Sequence, residues 1–373
     1  MQKKYTSLGL MSGTSGDGVD ASIIYSDGND QFEAIKDKYY EYDSNIYEGI
    51  HHLKDKISNI NDLKKHSKDL LELEKKITLF HAKVVKEMSF NYDNILVGFH
   101  GQTIFHNSKK KISKQLGDGI LLSQLTRKKI IYNFRKNDIL NGGEGAPLAP
   151  IFHQLIATQN NIGLPVCFLN IGGISNITIV KEPIGSLEFF SKDIGPGNCL
   201  IDNWIRKQTN KKYDFEGKLA FNGKKNQIIY EQAQELYSNR INKKKKSFDT
   251  SDFDVSFARG LSLEDGAATL TDLTASIIGE ELNSSLSNFN HKIKEILVCG
   301  GGRKNKILLK KIKENILQET DLKLIEKYNI KGDFVESQAF AYIAIRSFLK
   351  LPISFPNTTG CHKPCLGGEL IES

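Results

Sequence analysis

The sequence predicts an α/β protein of two domains. Short apolar strand patterns alternate with helical ones along the chain, the mark of that class. A strand, glycine turn, strand arrangement near the N-terminus recurs after residue 166. The chain has 373 residues, which at roughly 150 residues per domain allows two cores. We place the first domain at 1–150 and the second at 151–350, with the 351–373 tail free to return to the first.

The elements follow in order. Leu8 to Met11 reads as a strand running into Ser12-Gly13-Thr14-Ser15-Gly16-Asp17-Gly18, and Val19 to Tyr25 resumes the strand pattern, which predicts a hairpin with a polar, glycine-rich tip. From Ile46 to Ser89, Leu70, Leu71, Leu73, Ile77, Phe80, Val84 and Val85 fall near a 3.6-residue period, so this stretch is helical. A buried strand, Ile95 to Phe99, should end at His100-Gly101-Gln102-Thr103. A helix is expected from Gly119 to Lys128, a strand from Lys129 to Phe134, and turns from Gly142 to Pro147. Pro150 suits the first turn of the next helix, because the amide it lacks would have no partner there anyway.

Val166 to Asn170, the turn Ile171 to Asn176, and Ile177 to Val180 form the second hairpin. A helix should begin after Asp193-Ile194-Gly195-Pro196-Gly197-Asn198, with Ile201, Trp204 and Ile205 on its apolar face. Further helices are expected near Ile228 to Tyr237 and over Ala267 to Leu282. The strand Ile296 to Cys299 feeds Gly300-Gly301-Gly302, with a lysine-rich amphipathic helix behind it. Glu336 to Leu349 is the last helix, burying Phe340, Ile343 and Phe348.

Charge and composition narrow the function. There are 51 basic and 44 acidic residues, a net charge of +7, and Arg occupies only seven positions. The lysines are spread along polar faces with one dense run at Lys243 to Lys246, which reads as a solvated loop, so nucleic acid is not the expected partner. No apolar stretch approaches the ~20 residues that span a bilayer, and no secretory signal is readable. Five scattered cysteines suit a reducing compartment, so a cytoplasmic protein is expected. Cys361-His362-Lys363-Pro364-Cys365 offers one pair of metal ligands, but a structural zinc site needs a second pair and the sequence displays none.

Three glycine turns, each after a strand, carry the chemistry: Gly13 to Gly18, Gly172-Gly173, and Gly300 to Gly302. Without a side chain the backbone can approach a phosphate and aim its amides at the charge. Two of the turns carry polar side chains as well (Thr14 and Ser15; Ser175 and Asn176), which points to a divided nucleotide-phosphate site. Neither a P-loop nor a dinucleotide fingerprint is present. Asp193, placed by this reading at a helix start, is either a general base or a helix cap. Asp17 and Asp20 either bind Mg2+, which prefers oxygen ligands, or steady the hairpin tip. His100, and Arg135 with Asp138, stand at strand C-terminal ends, where α/β proteins bind ligands.

These blocks resemble the anhydro-N-acetylmuramic acid kinases. The resemblance rests on Leu10-Met11-Ser12-Gly13-Thr14-Ser15 with Asp17-Gly18-Val19-Asp20, on His100-Gly101-Gln102-Thr103, and on Phe134-Arg135 with Asp138. It continues through Gly142 to Leu148, Asn170 to Asn176, Asp193 with Gly195-Pro196-Gly197-Asn198, Gly300 to Gly302, and Glu336-Ser337 with Ala339-Phe340-Ala341, in family order over almost the whole chain.

The resemblance implies a two-domain actin-like ATPase (ribonuclease H-like) fold with an interdomain cleft, and ATP and Mg2+ as cofactors. It implies a small-molecule sugar as substrate and a homodimer as the assembly. Asp193 matches the family's general base, and Glu336 matches a residue that helps to hold the attacking water. Gly13 to Asp20, Gly172, Gly173 and Gly300 to Gly302 match ATP-binding positions, and His100, Arg135, Asp138, Gly195 and Asn198 match sugar-binding ones. The chain departs from the family at Asn133 and Glu144, which stand where Asp and Gln are usual, at Lys243 to Ser247, where a proline pair is missing, and at Met11, where the wider superfamily has Asp. A kinase for another small sugar and a non-enzymatic actin-like ATP switch are the competing readings.

Overall fold

The computed structural model describes residues 3–240, 247–287, 292–317 and 319–372. The expected Lys243 to Lys246 loop lies outside the described residues. The strand β1 (Tyr5–Ser12) is followed by β2 (Gly18–Ser26), β3 (Phe32–Glu41), the helices α1 (Ser44–Lys56), α2 (Ile60–Lys65) and α3 (Ser67–Met88), then β4 (Ile95–Asn107) and β5 (Ile112–Leu116). Next come α4 (Gly119–Thr126), β6 (Lys129–Tyr132), α5 (Lys136–Leu140) and α6 (Pro150–Gln159). The second series is β7 (Val166–Ile171), β8 (Ile174–Val180), β9 (Phe189–Pro196), α7 (Cys199–Gln208), α8 (Lys218–Asn222), α9 (Gln227–Arg240), α10 (Leu263–Ser287), β10 (Glu295–Cys299), α11 (Lys306–Asn315) and β11 (Asp321–Leu324). The chain ends with α12 (Val335–Phe348), α13 (Pro356–Thr359) and β12 (Glu369–Ile371).

Two compact units result. Residues 1–162, 182–190 and 333–373 form the first, and 163–181 with 191–332 form the second. In the first, the sheet runs β12-β6-β4-β1-β2-β3, with β5 paired to β4. β1, β2 and β3 make an antiparallel meander, and β4 and then β6 add in parallel beside β1. The second sheet runs β11-β10-β7-β8-β9, with β7 antiparallel to β8 and parallel to β10, which is parallel to β11. Read from the meander outward, both units begin third, second, first, fourth strand; the next strand is β6 in the first unit and β11 in the second.

Each unit closes over its own core. In the first, Leu8, Leu10, Val19, Ala21, Ile23, Val97 and Phe99 of the sheet pack with Ile50, Ile77 and Val85 of the helices. In the second, Leu169, Ile171, Ile177 and Val298 pack with Trp204, Leu270, Leu273 and Ile312. The helix α12 falls inside the 151–350 segment of the sequence-based division, yet it lies on β1, β2 and β4 of the first sheet. The reason is close packing: a Cβ at Gly9 would overlap the Ser337 carbonyl, and one at Gly98 would overlap the Phe340 carbonyl, so glycine at both positions lets the helix sit directly on the strands. The tail then adds β12 antiparallel to β6.

Several expectations need correction. The helical stretch after Ile46 is three helices, because Asn59 makes a capping box with Asp62 and starts a new one. Leu71 is exposed, while Leu70, Leu73, Ile77, Val84 and Val85 are buried. The strand expected to end at His100 runs to Asn107: where its parallel pairing with β1 and β6 stops, antiparallel pairing with β5 takes over at Gln102. Gly101, at φ +74°, makes the bend between the two. Asp193 is not at a helix start; it lies within β9, and the following helix begins at Cys199. The helix predicted after Gly119 and the Pro150 start both match.

Candidate active site

The turn between β1 and β2 is tied down through its carbonyls. Gln102 Nε2 donates to Gly13 O at 2.9 Å, Lys54 Nζ to Thr14 O at 2.6 Å, and the Tyr42 amide and Tyr39 hydroxyl to Asp17 O at 2.9 and 3.0 Å. Gly16 N also donates to Gly13 O, at 3.2 Å. This leaves the Thr14 and Ser15 amides with no acceptor among the described residues, the state in which backbone amides can take an anion. Beneath the turn, Ser12 Oγ is 2.8 Å from the Tyr42 hydroxyl and 3.3 Å from His81 Nε2, and all three side chains are buried.

The other residues of this turn have different parts. Val19 is a core side chain. Gly18 is required by β3, since a Cβ there would meet the Tyr39 ring at 2.6 Å. The Ser15 hydroxyl donates to Asp17 Oδ1 at 2.6 Å, and half-buried Asp20 pairs with Met11 in the ladder. Mg2+ keeps several waters and needs only one or two carboxylates besides phosphate oxygens; Asp17 and Asp20 are the carboxylates that this turn and the strand after it carry.

Also in the first unit, Arg135 Nη2 lies 2.9 Å from His100 Nε2 and its Nη1 donates to Gly145 O at 2.9 Å. His100 is buried against Phe340, with its ring Nδ1 2.7 Å from Gly101 O. Burial first, and the Arg135 charge second, hold its pKa well below the usual histidine value, so the ring is neutral and its Nε2 accepts from Arg135. Asp138 accepts from the Gly145 amide at 2.7 Å and the Thr359 hydroxyl at 2.6 Å, which fixes the 138–145 loop. Asn133 donates to Glu369 of the tail at 3.0 Å. An aspartate at that position would place two carboxylates together, so the change to Asn fits its partner. The Glu144 amide donates to Thr359 O at 2.9 Å. Glu336 stands in the first turn of α12.

In the second unit the Asp193 carboxylate accepts from the Phe248 amide at 2.7 Å, and the residue is buried near the end of β9. Its helix-cap alternative falls: the cap position belongs to Asn198, which makes no side-chain cap bond. The segment after Asp193 is stitched to the second glycine turn. Gly197 N and Cys199 N donate to Gly173 O at 2.9 and 3.2 Å, and Asn198 N donates to Gly172 O at 2.8 Å. A Cβ at Gly197 would overlap Gly172 O. Gly172 uses its own amide on Ile174 O at 3.1 Å, so of the two it is the Gly173 amide that has no acceptor among the described residues.

The third turn, Gly300 to Gly302, abuts the end of β7, where Cβ atoms at Gly300 and Gly302 would overlap Asn170 and Ile171. Gly301 has open space around it. The structure therefore gathers Gly172, Gly173, Gly195, Asn198, Asp193 and Gly300 to Gly302 at one end of the second sheet. Sequence reading missed Lys54, Tyr42 and His81, which look like ordinary helix-face and core residues in the sequence.

Two units that repeat one strand order, each with a glycine turn joining its first hairpin, define the actin-like, ribonuclease H-type ATPase class. A family model described as anhydro-N-acetylmuramic acid kinase matches residues 5–372. The anhydro-N-acetylmuramic acid kinase of Pelagibacter ubique is 55% identical over 375 residues, covering 100% of both chains. That of Agrobacterium fabrum is 35% identical, with 99% of each chain covered. Among solved structures, the activator of the 2-hydroxyisocaproyl-CoA dehydratase from Clostridium difficile with bound ADPNP aligns with a TM-score of 0.43 and 11% identity, over 92% of this chain and 96% of that one. The chain belongs to the anhydro-N-acetylmuramic acid kinase family and is a phosphotransferase. Among the described residues no helix is long and apolar enough to cross a membrane.

Proposed function

We propose that the protein uses ATP and water to convert 1,6-anhydro-N-acetylmuramic acid to N-acetylmuramic acid 6-phosphate, a step of cell-wall peptidoglycan recycling. Asp193 takes a proton from the water that attacks the anomeric carbon, with Glu336 helping to hold that water. The bond between carbon 1 and the bridging oxygen breaks, its electron pair stays on oxygen 6, and that oxygen attacks the γ-phosphorus as ADP leaves. Magnesium held near Asp17 and Asp20 would supply neutralisation of phosphate charge. The amides of Thr14, Ser15 and Gly173 take phosphate oxygens, the Gly300 to Gly302 turn lies on the adenosine side, and Arg135 binds the sugar. Asp138 contributes by fixing the loop beside Arg135.

The observation that carries this reading is the Asp193 carboxylate, anchored by the Phe248 amide in a segment bonded directly to the Gly172-Gly173 turn. A carboxylate held in this way keeps its place while it accepts a proton. The test is turnover of the anhydro sugar with ATP and magnesium in 18O-water. Label at carbon 1 and none in the new phosphate supports the reading. Turnover of glucose or N-acetylglucosamine, with none of the anhydro sugar, overturns it in favour of another sugar kinase.

A further inference from the structure

The Cys361-Lys363-Cys365 segment lacks a second ligand pair in the sequence, but the fold brings it a third ligand from far away. One ligand atom each of Asp138, Cys361 and Cys365 lies within 4.8 Å of the other two, and all three residues are buried. Donor atoms around a tetrahedral zinc with thiolate ligands are about 3.5–4 Å apart, so a shift of well under a residue's width closes the set. We propose that Asp138, Cys361 and Cys365 form a buried site for a zinc-class divalent metal, which fastens the C-terminal tail to the 138–145 loop.

Charge gives an independent argument. Asp138 is 1% exposed, and its hydrogen-bond partners, the Gly145 amide and the Thr359 hydroxyl, are both neutral. Among the described residues it makes no ion pair. A carboxylate taken out of water without a cation is costly, and a bound metal provides that charge. Two cysteines and a carboxylate suit zinc better than magnesium or calcium, which favour all-oxygen sets. The backbone holds the ligands in place: Cys365 N donates to Ser354 O at 2.9 Å, Ile353 N to Cys365 O at 2.8 Å, and His362 N to Asn141 O at 3.1 Å. The hydrogen bonds of Asp138 to Gly145 and Thr359 are the kind of outer contacts that orient a ligating carboxylate.

The test is elemental analysis of the full chain, purified reduced and with its affinity tag removed, together with the optical spectrum after cobalt replacement. The expected result is about one zinc per chain and a sulfur-to-cobalt charge-transfer band. Cys361→Ser with Cys365→Ser should reduce metal content to background, and Asp138→Asn should weaken zinc binding by about tenfold or more. If the double variant does not fold, the wild-type cobalt spectrum and the single Cys365→Ser variant decide. Reduced wild-type protein that takes up neither zinc nor cobalt overturns the proposal. So does an intact mass two hydrogens lighter, which would identify a disulfide instead.

Discussion

Arg135 leans on a neutral histidine: its Nη2 is 2.9 Å from His100 Nε2, and burial keeps that ring uncharged. The pairing uses one edge of the guanidinium for orientation, which holds Arg135 in place for the sugar contact of the proposed reaction. Hydrogen bonds to charged groups contribute about 1.5–3 kcal/mol, so Arg135→Ala should raise the KM for the sugar by about 10- to 100-fold. The KM for ATP should stay within about twofold, because the loss is confined to sugar contacts. Steady-state kinetics with each substrate varied checks this, and an equal rise in both KM values would assign Arg135 a structural part.

Three buried histidines of the first unit tie its stability to pH. Burial lowers the pKa of His81 from 6.5 to about 4 and that of His153 from 6.5 to about 3, and it places His100 well below 6.5. Below 6.5 the unfolded chain binds protons that the folded chain does not, so stability is full above that pH. It falls as the pH drops towards 4 and then 3, by at most about 1.4 kcal/mol per pH unit for each histidine. Urea midpoints measured at pH 7, 6 and 5 should decline, and His153→Leu should make the decline shallower. An unchanged slope in that variant rejects His153 as a contributor.

The hairpins around Gly13 and Gly172 are plain in the sequence because their apolar strands and glycine-rich tips are contiguous. The strand β3 is not, since Phe32 to Glu41 is an edge strand whose residues are mostly exposed and show no alternation. Strand β9 hides for a different reason: Lys192, Asp193, Gly195 and Pro196 carry turn chemistry, so Asp193 reads as a helix start when it is part of a sheet. The loop contacts of Asp138 are also invisible in the sequence. They depend on Thr359, which is 221 residues away along the chain and is brought back by the tail, bonded to the loop at Glu144 and Asn141 and paired with β6 further on.

Lys54 should act on ATP and not on the sugar. Its ammonium donates to Thr14 O at 2.6 Å, which steadies the turn whose Thr14 and Ser15 amides face a phosphate in the proposed reaction. Lys54→Met keeps the stem and removes the charge-assisted bond, so the KM for ATP should rise by about tenfold. The sugar KM at saturating ATP is the internal control. A change in the sugar KM alone would remove Lys54 from the phosphate turn.

Gly98→Ala should destabilise the first unit. The added methyl would meet the Phe340 carbonyl and, at 3.0 Å, the Ala344 Cβ, so α12 must lift off the sheet. Overpacking of this kind costs about 1–3 kcal/mol. Thermal unfolding followed by circular dichroism should show the midpoint of the first unit falling by several degrees, on the scale of about 2–4 °C per kcal/mol for a unit of roughly 200 residues. An unchanged midpoint would mean that α12 packs more loosely than the glycines imply.

Asp193→Asn separates proton transfer from placement. The asparagine carbonyl can still accept from the Phe248 amide, so the end of β9 and its bonds to the Gly172-Gly173 turn should survive. What is lost is the ability to take the water's proton, and removal of a general base typically costs about 10²–10⁴-fold in rate. Turnover should therefore collapse while the affinity for ATP, measured by calorimetry, is unchanged. Because the substitution keeps the anchor, a loss of ATP binding would point to a folding defect, and activity near that of the wild type would show that Asp193 is only a structural link between β9 and the loop carrying Phe248.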